Sequence, residues 1–240
     1  MTSAAPDAAT VRAIEALRDA RTRVYVVATG AGAGVQQALW SVPGCSSFLV
    51  GAQFPYEAAE TEAFLGFAPD HFASEETAID LATAAYLRAI DPNAASARAI
   101  GVAVTASVAT LEAHRGAHRA HLAVVIGAQA LGRTLVLPKG VGSEQRAKDG
   151  ASVDAATLDA LFVAAGVREG SLEDWSARAR DRFFARPYWT TDGRRRSERD
   201  LPESAALFPG AFDPPHEGHF AIADAAGAAR AVFALCATPP

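Results

Sequence analysis

The spacing of apolar residues alternates between two periods over roughly the first two thirds of the chain. Apolar residues three or four apart predict helices at 7–20, 35–40, 61–67, 75–90 and 152–166. Short, continuously apolar runs predict buried strands at 24–28, within 43–54, and at 99–108, 121–129 and 133–140. Strands and helices that alternate in this way predict an α/β layer fold.

The pattern changes after Gly166, which is suited to end the last of these helices. Residues 175–204 are charged, carry two prolines and include the run RRRSER, which is typical of a solvated linker. Residues 206–235 then predict a strand, a loop, a helix and a strand, which is one βαβ unit. We therefore divide the chain into a domain at 1–170, a linker at 171–205 and a second domain beginning at 206–240.

Composition and charge narrow the classes of function. The net charge of −5 does not suggest a nucleic-acid partner. Cys45 and Cys236 match no metal or redox spacing, which favours a reduced, cytoplasmic setting. No run of 18 or more apolar residues occurs, and the first 20 residues lack the apolar core of a signal peptide. We expect no membrane partner, and the oligomeric state is left open.

The glycine-rich run Gly30-Ala31-Gly32-Ala33-Gly34 follows the first predicted strand and precedes a helix. Backbone N–H groups at such a helix start can bind a phosphate, and glycine allows close approach. The run is not G-x-G-x-x-G, because Val35 stands where the third glycine is required. Three interpretations remain, namely a dinucleotide site, a small anion or nucleotide at the helix start, and a plain tight turn.

The surroundings of this run resemble the CinA C-terminal domain family, whose members include nicotinamide mononucleotide deamidases. The resemblance is carried by ATGAGA (28–33), PGCSSFLVGAQFPY (43–56), LGF (65–67) and SEETA (74–78), and extends more loosely to about residue 166. It implies a three-layer α/β domain with a small-molecule nucleotide pocket. The pocket residues that it implies are Thr29, Ser46, Tyr56, Thr105, His118 and Arg119.

The chemical positions of that family are mostly substituted in this chain. Thr29 keeps a hydroxyl at the family's serine position, but the acidic residue before it is Ala28, and the family's lysine position is Thr61. Amide hydrolysis needs an activated nucleophile with a base within reach. We therefore expect a CinA-like scaffold without deamidase activity. The alternatives are an amidohydrolase with Thr29 or Ser46 as nucleophile, and a non-catalytic module that binds a nucleotide or forms a dimer.

The run HRGAHRAH at 114–121 allows three interpretations. His114, His118 and His121 could share one helix face and bind zinc, but Gly116 interrupts the run and a predicted strand follows it. The histidines could also be exposed loop residues. In the pocket that the CinA resemblance implies, Arg115, His118 and Arg119 would meet a phosphate. We predict no metal site here.

A second chemical signature, FPGAFDPPHEGH, occupies 208–219. It lies between a predicted strand and a predicted helix, where α/β proteins bind nucleotides. His216 and His219 could donate to the phosphates of a nucleoside triphosphate, and Gly218 allows close approach of the backbone. The histidine spacing differs from that of HExxH zinc sites.

This stretch resembles the opening of the H-x-G-H nucleotidyltransferases, a superfamily that includes nicotinate and nicotinamide mononucleotide adenylyltransferases and cytidylyltransferases. The resemblance implies a Rossmann-type fold, of which the βαβ unit at 206–240 would be the beginning, and transfer from ATP or CTP to a mononucleotide or other phosphate acceptor with Mg²⁺. His216 and His219 would be catalytic. The nucleotide-binding residues would be Gly210, Phe212, Asp213 and Gly218. Ala211 replaces the usual hydroxyl or glycine, and we expect this stretch by itself to be inactive.

Overall fold

The computed structural model describes residues 6–90, 98–113, 115–127, 129–177, 188–189, 195–196, 205–210, 217–225 and 230–235. The chain forms two compact units, Met1–Phe183 and Phe184–Pro240. Within the described residues, no helix has the length and apolar character needed to cross a membrane.

The first unit is built on a six-stranded mixed sheet in the order β2-β1-β3-β4-β5-β6. Its strands are β1 (Thr22–Thr29), β2 (Leu49–Gln53), β3 (Arg98–Ser107), β4 (Arg119–Ile126), β5 (Gln129–Val136) and β6 (Ser176–Ala177). β2, β1 and β3 are parallel, whereas β4, β5 and β6 continue the sheet antiparallel. The helices are α1 (Ala8–Asp19), α2 (Ala33–Trp40), α3 (Ala58–Leu65), α4 (Glu75–Ala89) and α5 (Gly142–Ala164).

Helices cover both faces of this sheet, so the unit has three layers. Alternate strand residues, such as Val102 and Leu122, join the core formed with α1, α2 and α5. The intervening residues face α3 and α4. Gly101 belongs to this second set, and a Cβ there would collide with the Ala82 carbonyl oxygen and the Tyr86 backbone. Its lack of a side chain therefore lets α4 lie directly on β3.

The structure confirms the α/β layer fold that the sequence predicts, with two corrections to the elements. The predicted strand 121–129 ends at Ile126, because Gly127 adopts a φ of +54° and starts the turn to β5. The last helix begins at Gly142 and not near Ser152. The Ser152 hydroxyl, which suggested a cap, donates to the Lys148 carbonyl inside the helix. At the other end Gly166 adopts a φ of +70°, as its predicted role in ending the helix requires.

The second unit contains the predicted βαβ arrangement. β9 (Ala205–Gly210) pairs in parallel with β10 (Arg230–Leu235), and α6 (Glu217–Ala225) lies between them in the chain. β7 (Tyr188–Trp189) and β8 (Arg195–Arg196) form a small antiparallel pair. Arg195 and Arg196, which the sequence assigns to a linker, thus take part in a two-residue strand.

Candidate functional site

The glycine run connects β1 to α2 at the carboxyl end of the parallel strands. Gly30 has a φ of +81°, and a Cβ there would collide with the Ala106 carbonyl oxygen. Gly32 has a φ of +96° and stands immediately before α2. These values explain two of the glycines by backbone geometry and by the close approach of the loop to β3.

An internal carboxylate occupies the start of α2. Asp154 extends from α5 and accepts a hydrogen bond from the Gly34 N–H at 3.1 Å, and Val35 N–H also stabilises the carboxylate. Burial nevertheless raises the pKa of Asp154 above its usual value. Because Asp154 already uses these N–H groups, the geometry favours the tight-turn interpretation over an external anion at this helix start.

Arg146 of α5 joins three segments at the same end of the sheet. Its Nη1 donates to the Ala109 carbonyl at 3.0 Å, and its Nη2 lies 3.4 Å from the Gly30 carbonyl and 3.3 Å from the Tyr56 hydroxyl. These are three of the five N–H groups of a guanidinium. Within the part of the chain that the structure describes, the other two N–H groups of this half-buried side chain have no protein acceptor.

Asp149 lies about one turn after Arg146 on α5 and binds the other backbone group of Ala109, its N–H. Its carboxylate accepts from the Ala109 N–H at 3.1 Å and from Gln145 Nε2 at 2.8 Å. His118 Nδ1 lies 3.6 Å from the same carboxylate, and both side chains are buried. Side chains of α5 therefore bind both the N–H and the carbonyl of Ala109, which holds the loop after β3 against α5.

A row of polar side chains crosses the α4 face of the sheet. The strand register aligns Thr29 with Thr105, Thr105 with His121, and His121 with Thr134. The Thr105 hydroxyl donates to the Phe72 carbonyl at 2.6 Å. The Thr134 hydroxyl donates to Glu75 Oε2 at 3.1 Å and lies 2.8 Å from His121 Nδ1.

The environment of His121 keeps its imidazole neutral near pH 7. His121 is 9% exposed, and its burial lowers its pKa below 6.5. The nearby Glu75 opposes this shift and Arg119 adds to it. Because the Thr134 hydroxyl donates its proton to Glu75, its oxygen accepts from His121, which assigns the proton of the neutral ring to Nδ1.

The structure brings together only part of the predicted pocket. Tyr56 contacts Arg146, and Thr29 and Thr105 are neighbours at the adjacent strand ends. Ser46 lies in a short 3₁₀ helix, Cys45–Ser47, before β2. Leu49, the first residue of β2, pairs with Val24, which is five residues, or roughly 16 Å, before Thr29 along the strand, and Ser46 precedes Leu49. The structure therefore does not bring Ser46 to Thr29.

Two of the three predicted basic contacts, Arg119 and His118, differ in exposure. Arg119 is exposed at the start of β4, where its backbone pairs with that of Ser107. His118 is only 2% exposed and packs against Asp149. The expectation that His118 meets a ligand phosphate therefore does not fit its place in the interior.

The zinc interpretation of the histidine run is wrong. His118 lies against α5 and His121 lies on the α4 face, because the segment is extended and not helical. His114 is outside the described residues. The described part of the chain contains no group of three histidine, cysteine or acidic side chains arranged to hold a metal.

The nucleotidyltransferase-like residues are only partly within the described residues. Gly210 ends β9, and Gly218 and His219 lie in the first turn of α6. His216, Phe212 and Asp213 fall outside the described residues. Their predicted roles remain predictions.

The sequence patterns do not predict the side chains that α5 supplies to the site. Arg146, Asp149 and Asp154 lie on the stretch before and just after Ser152, most of which was left out of the predicted helix. The signal that could have found the first two is their spacing of three residues, which places them on one helical face. Glu75 and Thr134 were missed because their partner, His121, is distant in the sequence.

These features define an α/β protein with three layers and a polar site at the carboxyl ends of its parallel strands. Similar solved structures are proteins of the CinA superfamily. A competence/damage-inducible protein from Agrobacterium tumefaciens is 18% identical, with a TM-score of 0.53 over 69% of this chain and 99% of that chain. CinA-superfamily proteins from other bacteria are similarly related.

Two further structures illustrate that relation. A competence-damaged protein from Escherichia coli is 15% identical, with a TM-score of 0.52 over 68% of this chain and 94% of that chain. A competence- or damage-inducible protein from Enterobacter asburiae is 18% identical, with a TM-score of 0.51 over 65% of this chain and 96% of that chain. At these identities the likeness shows the fold alone, and the first unit has a CinA-like fold.

No family model matches the chain. No curated protein matches it either.

Proposed function

We propose that the CinA-like unit is a binding module for a pyridine mononucleotide and does not hydrolyse its ligand. The observation that carries this proposal is Arg146, which stands beside the exposed Tyr56 with two N–H groups that no described residue accepts. A guanidinium suits a phosphate, because its charge strengthens each N–H hydrogen bond that it donates to a phosphate oxygen. The exposed Tyr56 ring offers a flat surface to a planar base.

The expected absence of hydrolysis rests on Thr61, which stands where the CinA resemblance implies a lysine. Thr61 holds that position and is 2% exposed. Its hydroxyl donates to the Pro55 and Glu57 carbonyls at 2.8 and 3.2 Å, at the start of α3. Thr61 therefore serves the helix start and offers no base. Thr29 has no hydrogen-bonded base among the described side chains.

Titration of the full chain with nicotinamide mononucleotide tests this proposal. Saturating ligand should raise the unfolding midpoint, since binding at 100 times Kd adds about 2.7 kcal/mol to the free energy of unfolding. Arg146→Lys should weaken binding about tenfold or more, because it keeps the charge and loses the remaining guanidinium N–H donors. Arg12→Lys, at an exposed arginine of α1, is the matched control.

Two results would contradict the binding module. The first is an unchanged melting curve and no heat of binding with the wild-type chain. The second is release of ammonia from the mononucleotide that disappears in Thr29→Ala, which would establish the amidohydrolase instead.

For the second unit we propose binding of ATP or CTP together with Mg²⁺, as its resemblance to the nucleotidyltransferases implies, without completion of the transfer by this stretch alone. The supporting observation is the parallel pairing of β9 with β10 around α6, with His219 in the first turn of that helix. Such a crossover directs the strand end and the helix start toward one place, where phosphates bind. Binding of MgATP or MgCTP to the full chain, lost in His219→Ala, is the expected result. Equal binding by that variant would overturn the proposal.

A further inference from the structure

An open cavity of about 520 Å³ lies between the sheet and the end of α5, at the edge of the sheet where β3 begins. This edge is opposite to the candidate functional site. Arg98, the first residue of β3, lines the cavity, whereas Ala106, which contacts the glycine run, is eight residues, or roughly 26 Å, further along the strand. The volume is within the range of small-molecule sites in proteins.

The walls of this cavity are apolar. Ile126 of β4 and Leu131 of β5 form the wall on the sheet, where both are half-buried against the hydrophobic core. The facing wall is formed by Val163 and Ala164, in the last turn of α5, together with Leu172 from the segment that follows this helix. An apolar group placed between the two walls would therefore be removed from water on both sides.

Hydrogen bonds of the main chain hold the facing wall in place. Gly166 ends α5 in a left-handed conformation, and its N–H donates to the Val163 carbonyl at 2.9 Å. Further along, the N–H of the buried Trp175 donates to the Leu172 carbonyl at 3.0 Å. The wall is thus formed without a ligand, which lowers the conformational cost of binding.

The two other side chains that line the cavity, Arg98 and Gln129, are polar and exposed. Arg98 Nη1 donates to the Ala165 carbonyl at the end of α5, at 3.0 Å. Within the described ranges, Arg98 has no other hydrogen-bond acceptor and no carboxylate partner, and the Gln129 amide has no hydrogen bond. The helix end carries only about half a negative charge, so positive charge remains beside the apolar walls.

We propose that this cavity binds an aliphatic monocarboxylate, with the carboxylate at Arg98 and the hydrocarbon chain between the sheet and α5. The remaining guanidinium N–H groups suit a carboxylate, and the Gln129 amide can donate a further hydrogen bond. A ligand that is charged at one end and apolar along its length complements both parts of the lining. The proposal does not depend on the mononucleotide-binding module, because the two sites lie at opposite edges of the sheet.

Calorimetric titration of the full chain with octanoate tests the proposal. We expect saturable binding to one site. Hexanoate should bind about tenfold more weakly, because each buried methylene group changes the affinity by roughly a factor of four. Octanamide has the same chain without the charge and should also bind about tenfold more weakly, since hydrogen bonds between charged groups are stronger than those to neutral ones.

Two variants separate the charge from the cavity. Arg98→Gln should weaken octanoate binding about tenfold and leave octanamide binding nearly unchanged, with Arg12→Gln at an exposed arginine of α1 as its control. Ala164→Leu fills the space between the walls and should prevent binding of both ligands. Its melting midpoint without ligand should not fall, because leucine is a good helix former and covers apolar surface. Ala155→Leu, at an exposed position of α5, is the matched control.

Each part of the proposal has a result that would overturn it. Absence of saturable octanoate binding by the wild-type chain, or unchanged binding by folded Ala164→Leu, would remove the cavity as a binding site. Equal affinities of the wild type for octanoate and octanamide would remove the role of the carboxylate, even where Arg98→Gln fails to fold. Competition between octanoate and nicotinamide mononucleotide for one site would overturn the separation of the two sites.

Discussion

Asp154 places a carboxylate against the first turn of α2, where it satisfies backbone N–H groups but is half-buried. The hydrogen bond from Gly34 favours the charged form, whereas burial opposes it more strongly and raises the pKa. The side chain therefore has two effects that mutations can separate. It accepts hydrogen bonds from the helix start, and it places a charge in a half-buried position.

Two substitutions at this position should differ in sign or size. Asp154→Ala leaves N–H donors without an acceptor and should lower the free energy of unfolding by about 1 kcal/mol, as for a lost helix cap. Asp154→Asn keeps an acceptor and removes the buried charge, so it should be at least as stable as the wild type at pH 7. Urea unfolding measures both. A loss in Asp154→Asn as large as that in Asp154→Ala would show that the charge itself stabilises the helix start.

At the scale of elements, the loop after β1 is constrained by its contact with β3 as well as by its backbone conformation. Gly30 and Gly142 have nearly the same dihedral, with φ of +81° and +80°. A Cβ at Gly30 would collide with the Ala106 carbonyl oxygen, whereas one at Gly142 would meet nothing within 4 Å. The pair separates the cost of a left-handed conformation from the cost of close packing.

Alanine substitution at both glycines should reveal this difference. Gly142→Ala should cost about 1–2 kcal/mol, because only the left-handed conformation is penalised. Gly30→Ala should cost clearly more and should also weaken mononucleotide binding, because moving the loop displaces the carbonyl that Arg146 contacts. Chemical unfolding and ligand titration of the two variants provide the comparison. Equal losses of stability would mean that the loop can move away from β3 without cost.

The sequence predicted the existence of most elements, and its errors have local causes. Apolar periodicity identified β1, β3 and α4 to within two residues at either end. The start of α5 was misplaced because the polar stretch before Ser152 carries little apolar periodicity. That stretch is helical because its hydrophilic side is solvated and supported by pairs such as Glu144 and Lys148, 2.7 Å apart.

At the scale of the whole unit, the site depends on contacts that no local pattern encodes. Thr29, Tyr56 and Thr105 could be proposed from motifs, because each belongs to a quoted stretch. His121 meets Thr134 through strand pairing, and Thr134 meets Glu75 across 59 positions of the chain. The burial of His118 was likewise unpredictable, since it follows from α5 reaching the strand end through Asp149.

The protonation of His121, which contacts Thr134 and through it Glu75, also affects the stability of the first unit. The pKa of His121 in the folded protein lies below the usual 6.5, so on acidification the unfolded chain takes up a proton before the folded one does. The free energy of unfolding should therefore fall as the pH drops below about 6.5 and be unaffected by His121 at higher pH. Asp154 acts oppositely, because its raised pKa makes stability fall as the pH rises above the ordinary carboxyl pKa of 3.8.

Comparison of the wild type with His121→Gln isolates the effect of His121 protonation on stability, since all other groups titrate in both proteins. At pH 8 the variant should be the less stable of the two, because it disturbs the contact with Thr134. The difference in unfolding free energy should then narrow as the pH falls from 7 to 5, because only the wild type loses stability through His121. Urea unfolding at several pH values gives the two curves. Parallel curves across this range would show that His121 has the same proton affinity in the folded and unfolded chains.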